Sequence, residues 1–218
     1  AGYVGITQLS RGFTSVVQQA ADFEKKLNVL QATGGATDAQ MKLVSATAIR
    51  LGSDVKLPGT SAADAASAML ELTKGGLSVQ ESKDAARGAL QLSAAAQIDN
   101  ATAARIVADS LNAFGLSGKE AVRVADLLAA SANATTASMP EMADALKQSS
   151  AVAHQLDIPI GDTVTALGLL ANAGIKGSDA GTSLKTMLMR LTAPASDAAK
   201  EMKRIGVSSF DAHGKMRP

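Results

Sequence analysis

The sequence contains no cysteine and no tryptophan, one tyrosine, four phenylalanines and two histidines. Without cysteine there is no disulfide framework, no thiolate metal ligand and no thiol nucleophile. With aromatics at 2% of 218 residues, the core cannot be built around large rings. An excess of one charge is missing too: 21 basic and 20 acidic side chains give a formal net charge of +1, spread along the chain rather than blocked. That leaves no electrostatic footprint for nucleic acid. The clearest uncharged apolar run, Thr163 to Ile175, has 13 residues, against the roughly 20 that a membrane-spanning helix needs. The chain opens on Ala1-Gly2 without a basic, hydrophobic leader, and reads as a soluble piece of a longer protein.

Alanine is what the chain has in quantity, at 44 positions within a hydrophobic fraction of 46%. It is the best helix former and buries little surface, so close helix packing is expected, with Leu, Val, Ile and Met filling the gaps and modest stability for the size. The length suffices for one large domain or two small ones.

From Phe13 to Ala32, the residues Val16, Ala20, Phe23, Leu27 and Leu30 fall on one helical face, ended by Gly34-Gly35. Thr37 with Gln40 predicts a capping box for a helix lined by Met41, Val44, Ala48 and Leu51 and stopped at Gly52. Lys56-Leu57-Pro58-Gly59 is a turn signal, and divides an N-terminal helical segment, 1–59, from a compact remainder, 60–218.

Beyond it the punctuation becomes regular. Gly76-Leu77-Ser78, Gly115-Leu116-Ser117, Gly174-Ile175-Lys176 and Gly206-Val207-Ser208 each join one helix to the next, and Asp157-Ile158-Pro159 holds the same place in a fifth case. The first residue can turn left-handed just past a helix end, and the aliphatic residue can fold back on the last turn. Ser78 with Glu81, Ser117 with Glu120 and Ser138 with Glu141 predict capping boxes. The steps from Gly76 to Gly115 and from Gly115 to Asp157 are similar, but the step to Gly174 is less than half as long. A closed helical domain therefore fits better than an open solenoid. Helices are expected near 61–74, 79–95, 100–113, 119–132, 139–155, 161–173, 179–191 and 195–205, with no alternating strand pattern between them. The fold class is all-α: short helices joined by Gly-aliphatic turns into a compact domain, preceded by an amphipathic N-terminal helix.

Chemistry is harder to find. Gly174, Gly177 and Gly181 suggest a phosphate cradle, but Lys185 follows Gly181 at the wrong spacing for G-x-x-x-x-G-K-[ST], and no strand precedes it. Helix capping and close packing explain these glycines. Gly118-Lys119-Glu120 fails the same pattern. His154, late in a helix with Asp157 three residues on, is expected to help satisfy terminal carbonyls, and His213 reads as a loop residue. Ser178-Asp179 lacks a G-x-S-x-G elbow and an activating histidine. Met69, Met142, Met187 and Met189 read as core filler, and Glu24 with Lys25 and Lys26 as a solvated face. No catalytic, cofactor-binding or metal-ligating residue is assigned.

The succession Ala20-Ala21-Asp22-Phe23-Glu24, AADAASAMLELTKGG from Ala62 to Gly76, Leu111-Asn112-Ala113-Phe114-Gly115-Leu116, Val124 to Ala129 and Ala132-Asn133-Ala134 resembles the core region of the phage tail tape measure family. So does LLANAGIKGSDAGTSLKTMLMRL from Leu169 to Leu191, followed by Pro194; its Gly-Ile-x-Gly-Ser-x-Ala-Gly-Thr string is the most specific part. The likeness runs from about Ala20 to the C-terminus and departs at Asp157, where similar sequences carry glycine. It implies a non-enzymatic structural segment of a long-tailed phage or prophage. It would be made in the bacterial cytoplasm and placed in the tail-tube lumen of the virion. There chain length sets tail length, and the protein leaves before the genome passes. Implied partners are the tail tube protein, tail assembly chaperones, tail-tip or baseplate proteins and other copies of itself. Two rivals are a membrane-active helical module inserted during genome ejection, which the helix around Val16 to Leu30 would serve, and a cell-wall hydrolase.

Overall fold

The computed structural model describes the backbone of residues 3–209 and the side chains of residues 17–209. Among the described residues the chain is all-α. The helices are α1 (Tyr3–Gly34), α2 (Asp38–Gly52), α3 (Ala62–Lys74), α4 (Val79–Ala96), α5 (Asn100–Ala113), α6 (Ala121–Ala134), α7 (Met139–Gln155), α8 (Ile160–Asn172), α9 (Gly177–Thr192) and α10 (Ser196–Arg204), with one 3-10 turn at Gly118–Glu120. The periodicity places these helices to within a few residues, except that α1 starts ten residues before Phe13, at Tyr3.

What stops and restarts the helices is one device used seven times among the described residues. A residue with φ between 53° and 96° is followed by an apolar residue, at Gly35-Ala36, Gly76-Leu77, Gln97-Ile98, Gly115-Leu116, Asp157-Ile158, Gly174-Ile175 and Gly206-Val207. Each apolar residue's N–H donates to the carbonyl five residues back, at 2.8–3.2 Å. This bond satisfies a carbonyl that the helix end would leave without a donor. The left-handed Asp157 expected from the pattern has φ 55°. Gln97 escaped the sequence reading because glutamine stands where glycine was sought.

Capping boxes form at Thr37/Gln40, Ser78/Glu81 and Ser138/Glu141, as expected, and also at Ser61/Asp64. Ser117/Glu120 does not form one. A 3-10 turn intervenes, the Glu120 N–H bonds the Ser117 carbonyl rather than its hydroxyl, and the Glu120 carboxylate pairs with Arg123 at 2.9 Å. The two-residue offset between serine and the start of α6 puts Glu120 outside the third helical position that a box needs.

The chain forms two compact units, divided between Ala108 and Asp109 within α5, so the Lys56–Gly59 turn lies inside the first. In that unit α3 packs on α1, α2 and α4. Leu30, Val44, Leu51, Met69, Leu72, Leu90 and Leu92 are fully buried. On the expected apolar face of α1, burial rises toward the C-terminus: Ala20 is exposed, Phe23 and Leu27 are half-buried and Leu30 is buried, while the side chain of Val16 lies outside the described residues. Lys26 is not simply solvated, since its ammonium donates to the Ala63 carbonyl at 3.1 Å. Gly52 lets α2 meet the start of α3, where a Cβ would stand 2.3 Å from the Ala62 nitrogen. The 53–60 connection is tied to α4 by an ion pair between Asp54 and Arg87. The Lys56 N–H and then Arg87 hold the Asp54 carboxyl below its ordinary range.

In the second unit α7 packs on α9, α8 and α6, and α8 packs on α6. Val124, Leu128, Met142, Val164, Leu167 and Leu184 form its core. A Cβ on Gly181 would stand 2.1 Å from the Ala145 carbonyl oxygen, so α9 crosses α7 at backbone distance. The small-residue string Ala180-Gly181 is thus explained by a helix crossing.

Candidate interaction surface

The residues that chemistry would need are not brought together. Gly174 and Gly177 face open space with positive φ, and Gly181 is consumed by the α7 crossing, so the three glycines do not converge on a ligand. Ser178 and Asp179 are exposed at the start of α9, and Lys185 is exposed on it. His154 does not serve the terminal carbonyls of α7; the N–H groups of Leu156, Asp157 and Ile158 do that. Its ring instead meets Phe114 edge-on, centroids 6.4 Å apart at 69°. His213 lies outside the described residues. Among the described residues no group of three or more His, Asp or Glu side chains is placed to hold a metal ion, and no helix is long and apolar enough to cross a membrane.

What the second unit offers instead is a surface. The α6–α7 connection is latched to the α8–α9 joint. The Thr136 hydroxyl donates to the Ala171 carbonyl at 2.8 Å and its N–H to the Asn172 side-chain oxygen at 3.0 Å, while the Lys176 ammonium donates to the Thr136 carbonyl. At the base of α7, Glu141 accepts from the Ser138 N–H and hydroxyl, and these bonds, with a further contribution from Lys176, hold its carboxyl below the ordinary value. This fixes the spacing of α8 and α9.

On their other side, α8 and α9 enclose an open groove of about 780 Å³, lined by Ile158, Ala166, Leu169, Leu184, Met187 and Leu191 among others, with Asp157 and Asp162 at its α8 end. Leu169 is 67% exposed, Met187 49% and Met189 51%. Met69 and Met142 are core filler as expected, but Met187 and Met189 are not. The period of α9 carries them past the α7 contact onto the open side, a distinction that apolar spacing does not make. Next along the chain, α10 buries no residue at all.

The profile of the family described as phage-related minor tail protein matches residues 45–218. The chain is 36% identical to the "Tape measure protein" of Pneumococcus phage Dp-1 over 98% of its own length and 19% of the relative's. It is 32% identical to the "Probable tape measure protein" of Escherichia phage P2 over 90% of its own length and 24% of the relative's. The chain therefore spans about a fifth to a quarter of these relatives. No solved structure matches it significantly.

Proposed function

Because this chain belongs to the phage-related minor tail protein family, and its relatives over nearly its whole length are tape measure proteins, we propose that it is a structural and assembly segment of a phage tail tape measure protein. The whole polypeptide sets tail length, occupies the tail-tube lumen of the virion after assembly in the bacterial cytoplasm, and takes part in genome delivery. The segment is not an enzyme. Its partners are the tail tube protein, the tail assembly chaperones, the tail-tip or baseplate proteins and further copies of the chain. Residues 60–218 form the family's core region, and 1–59 lead into it.

Within that protein this segment is a docking domain near one end of the ruler rather than a stretch of the ruler. The observation that supports this is the seven-fold joint. A 218-residue uninterrupted helix would extend about 330 Å at about 1.5 Å per residue. Here no helix after α1 exceeds 18 residues, and each left-handed joint turns the chain back into a packed unit. Measuring then belongs to the remainder of the polypeptide. Duplicating the segment in frame in the phage that carries it, and measuring assembled tails by electron microscopy, tests this. Unchanged tail length is expected, whereas tails longer by about 330 Å, the full helical extension, would make the segment part of the ruler.

A further inference from the structure

We propose that the α8–α9 groove seats α10 of a second copy of this chain, the two copies exchanging this helix reciprocally. The inference deepens the self-association included in the proposed function and rests on it. It starts from two unsatisfied surfaces in the same unit. The groove exposes Leu169 and Met187. Helix α10, of nine residues, leaves its own apolar face open. At 100° per residue, Ala198, Ala199, Met202 and Ile205 share one face of α10, and Lys200, Lys203 and Arg204 lie outside it. A helix this short is marginal in water without a packed face, so α10 needs a partner surface to be stably helical.

The two surfaces match in chemistry and in length. The α8 lining of the groove runs from Asp157 to Leu169, about 18 Å of helix, and α10 is about 14 Å long. The apolar face of α10 meets the apolar floor, and Lys203, on the border of that face, faces the acidic end marked by Asp157 and Asp162. Both halves of the contact are in every copy, so the interaction closes on itself as an isologous pair. The chain's own α10 does not fill its own groove. It supplies none of the lining, and the connection through Pro194 leads onward, with extended backbone at Ala195 (φ −57°, ψ 154°). A second copy brings the same helix without that tether.

The absence of cysteine makes the test clean. The 218-residue chain is prepared as M187C and as M202C, the two are mixed and oxidised, and the products are mapped by peptide mass spectrometry. The expected result is a 187–202 disulfide between chains, abundant in the mixture and scarce in either variant alone. A 187–202 disulfide within one chain of the double variant, in dilute solution, would overturn the exchange in favour of the chain's own α10. Dimerisation by light scattering, with Leu169→Glu or Met202→Glu weakening it at least about tenfold, is the independent readout. Asp162→Lys should weaken it a few-fold and adding Lys203→Glu should restore it. A monomer with no cross-link overturns the proposal, and leaves the tail-length experiment to judge the wider function separately.

Discussion

Helices α3 and α9 are built from similar residues and end in different surroundings. α3 packs against α1, α2 and α4 and buries Ala65, Ala66, Ala68, Met69, Leu70, Leu72 and Thr73. α9 packs against α7 and α8 and buries only Ala180, Gly181, Leu184 and Leu188. Both carry methionine and leucine on an apolar stripe, so the difference is not composition. A helix with neighbours on three sides buries its whole stripe. One with neighbours on two buries the narrow part and offers the rest. The first unit is thus organised for stability, and the far side of the second for contact.

The sharpest way to break this comparison is to remove the same side chain from each helix. Met69→Ala empties a fully buried site, and should cost about 2–5 kcal/mol in chemical denaturation. Met187→Ala removes a side chain that is 49% exposed and should stay within about 0.5 kcal/mol. Equal losses would mean that the α9 face is covered even in the free chain.

The α7–α9 crossing is the next largest effect. Gly181→Ala places a methyl 2.1 Å from the Ala145 carbonyl oxygen, and the obstacle is backbone, which cannot rotate away. The expected cost is about 1–3 kcal/mol, and the groove should lose its geometry with it. Gly177→Ala, in open space at φ 57°, tests only the left-handed backbone and should cost about 1 kcal/mol. Thermal melts of the two variants separate crossing from conformation.

Much of this was written in the sequence because helices stop by local rules. Glycine followed by Leu, Ile or Val, then serine, marks the joints without tertiary information, and apolar spacing finds the faces that carry Leu30, Val44 and Leu72. Gln97 was illegible because its left-handed φ is imposed by the Ile98 bond to Ser93 and by Asp99, which caps α5 through Thr102, rather than by its own preference. The docking surface was illegible for a different reason. Period distinguishes apolar from polar faces, but Met187 is exposed only because nothing packs beyond α9, and neighbour count is a tertiary property. The joints give a modest test across the two units. Gln97→Gly relieves a side chain held left-handed in the first unit and should stabilise by about 0.5–1 kcal/mol. Asp157→Gly, in the second, should gain less, because aspartate tolerates that conformation better.

The smallest expected effect compares how the two units hold their capping carboxylates. Glu81 in the first unit and Glu141 in the second both lie below the ordinary 4.5, through bonds to Ser78 and Ser138 respectively, and Glu141 is additionally favoured by Lys176 from the start of α9. A carboxyl with a lowered folded-state pKa contributes stability that is complete above the unfolded value and is lost as pH falls through the folded one. Melting temperature should therefore be level from neutral pH down to about 4.5 and decline below it. Glutamine already fills this position in the box at Thr37/Gln40, so Glu81→Gln and Glu141→Gln should keep the cap and flatten the acid limb. The Glu141 variant should flatten it more, because it alone also removes a charge beside Lys176. Equal flattening would mean that Lys176 is held by the Thr136 carbonyl rather than by Glu141, and that the α6–α7 latch on α9 is a hydrogen bond indifferent to pH.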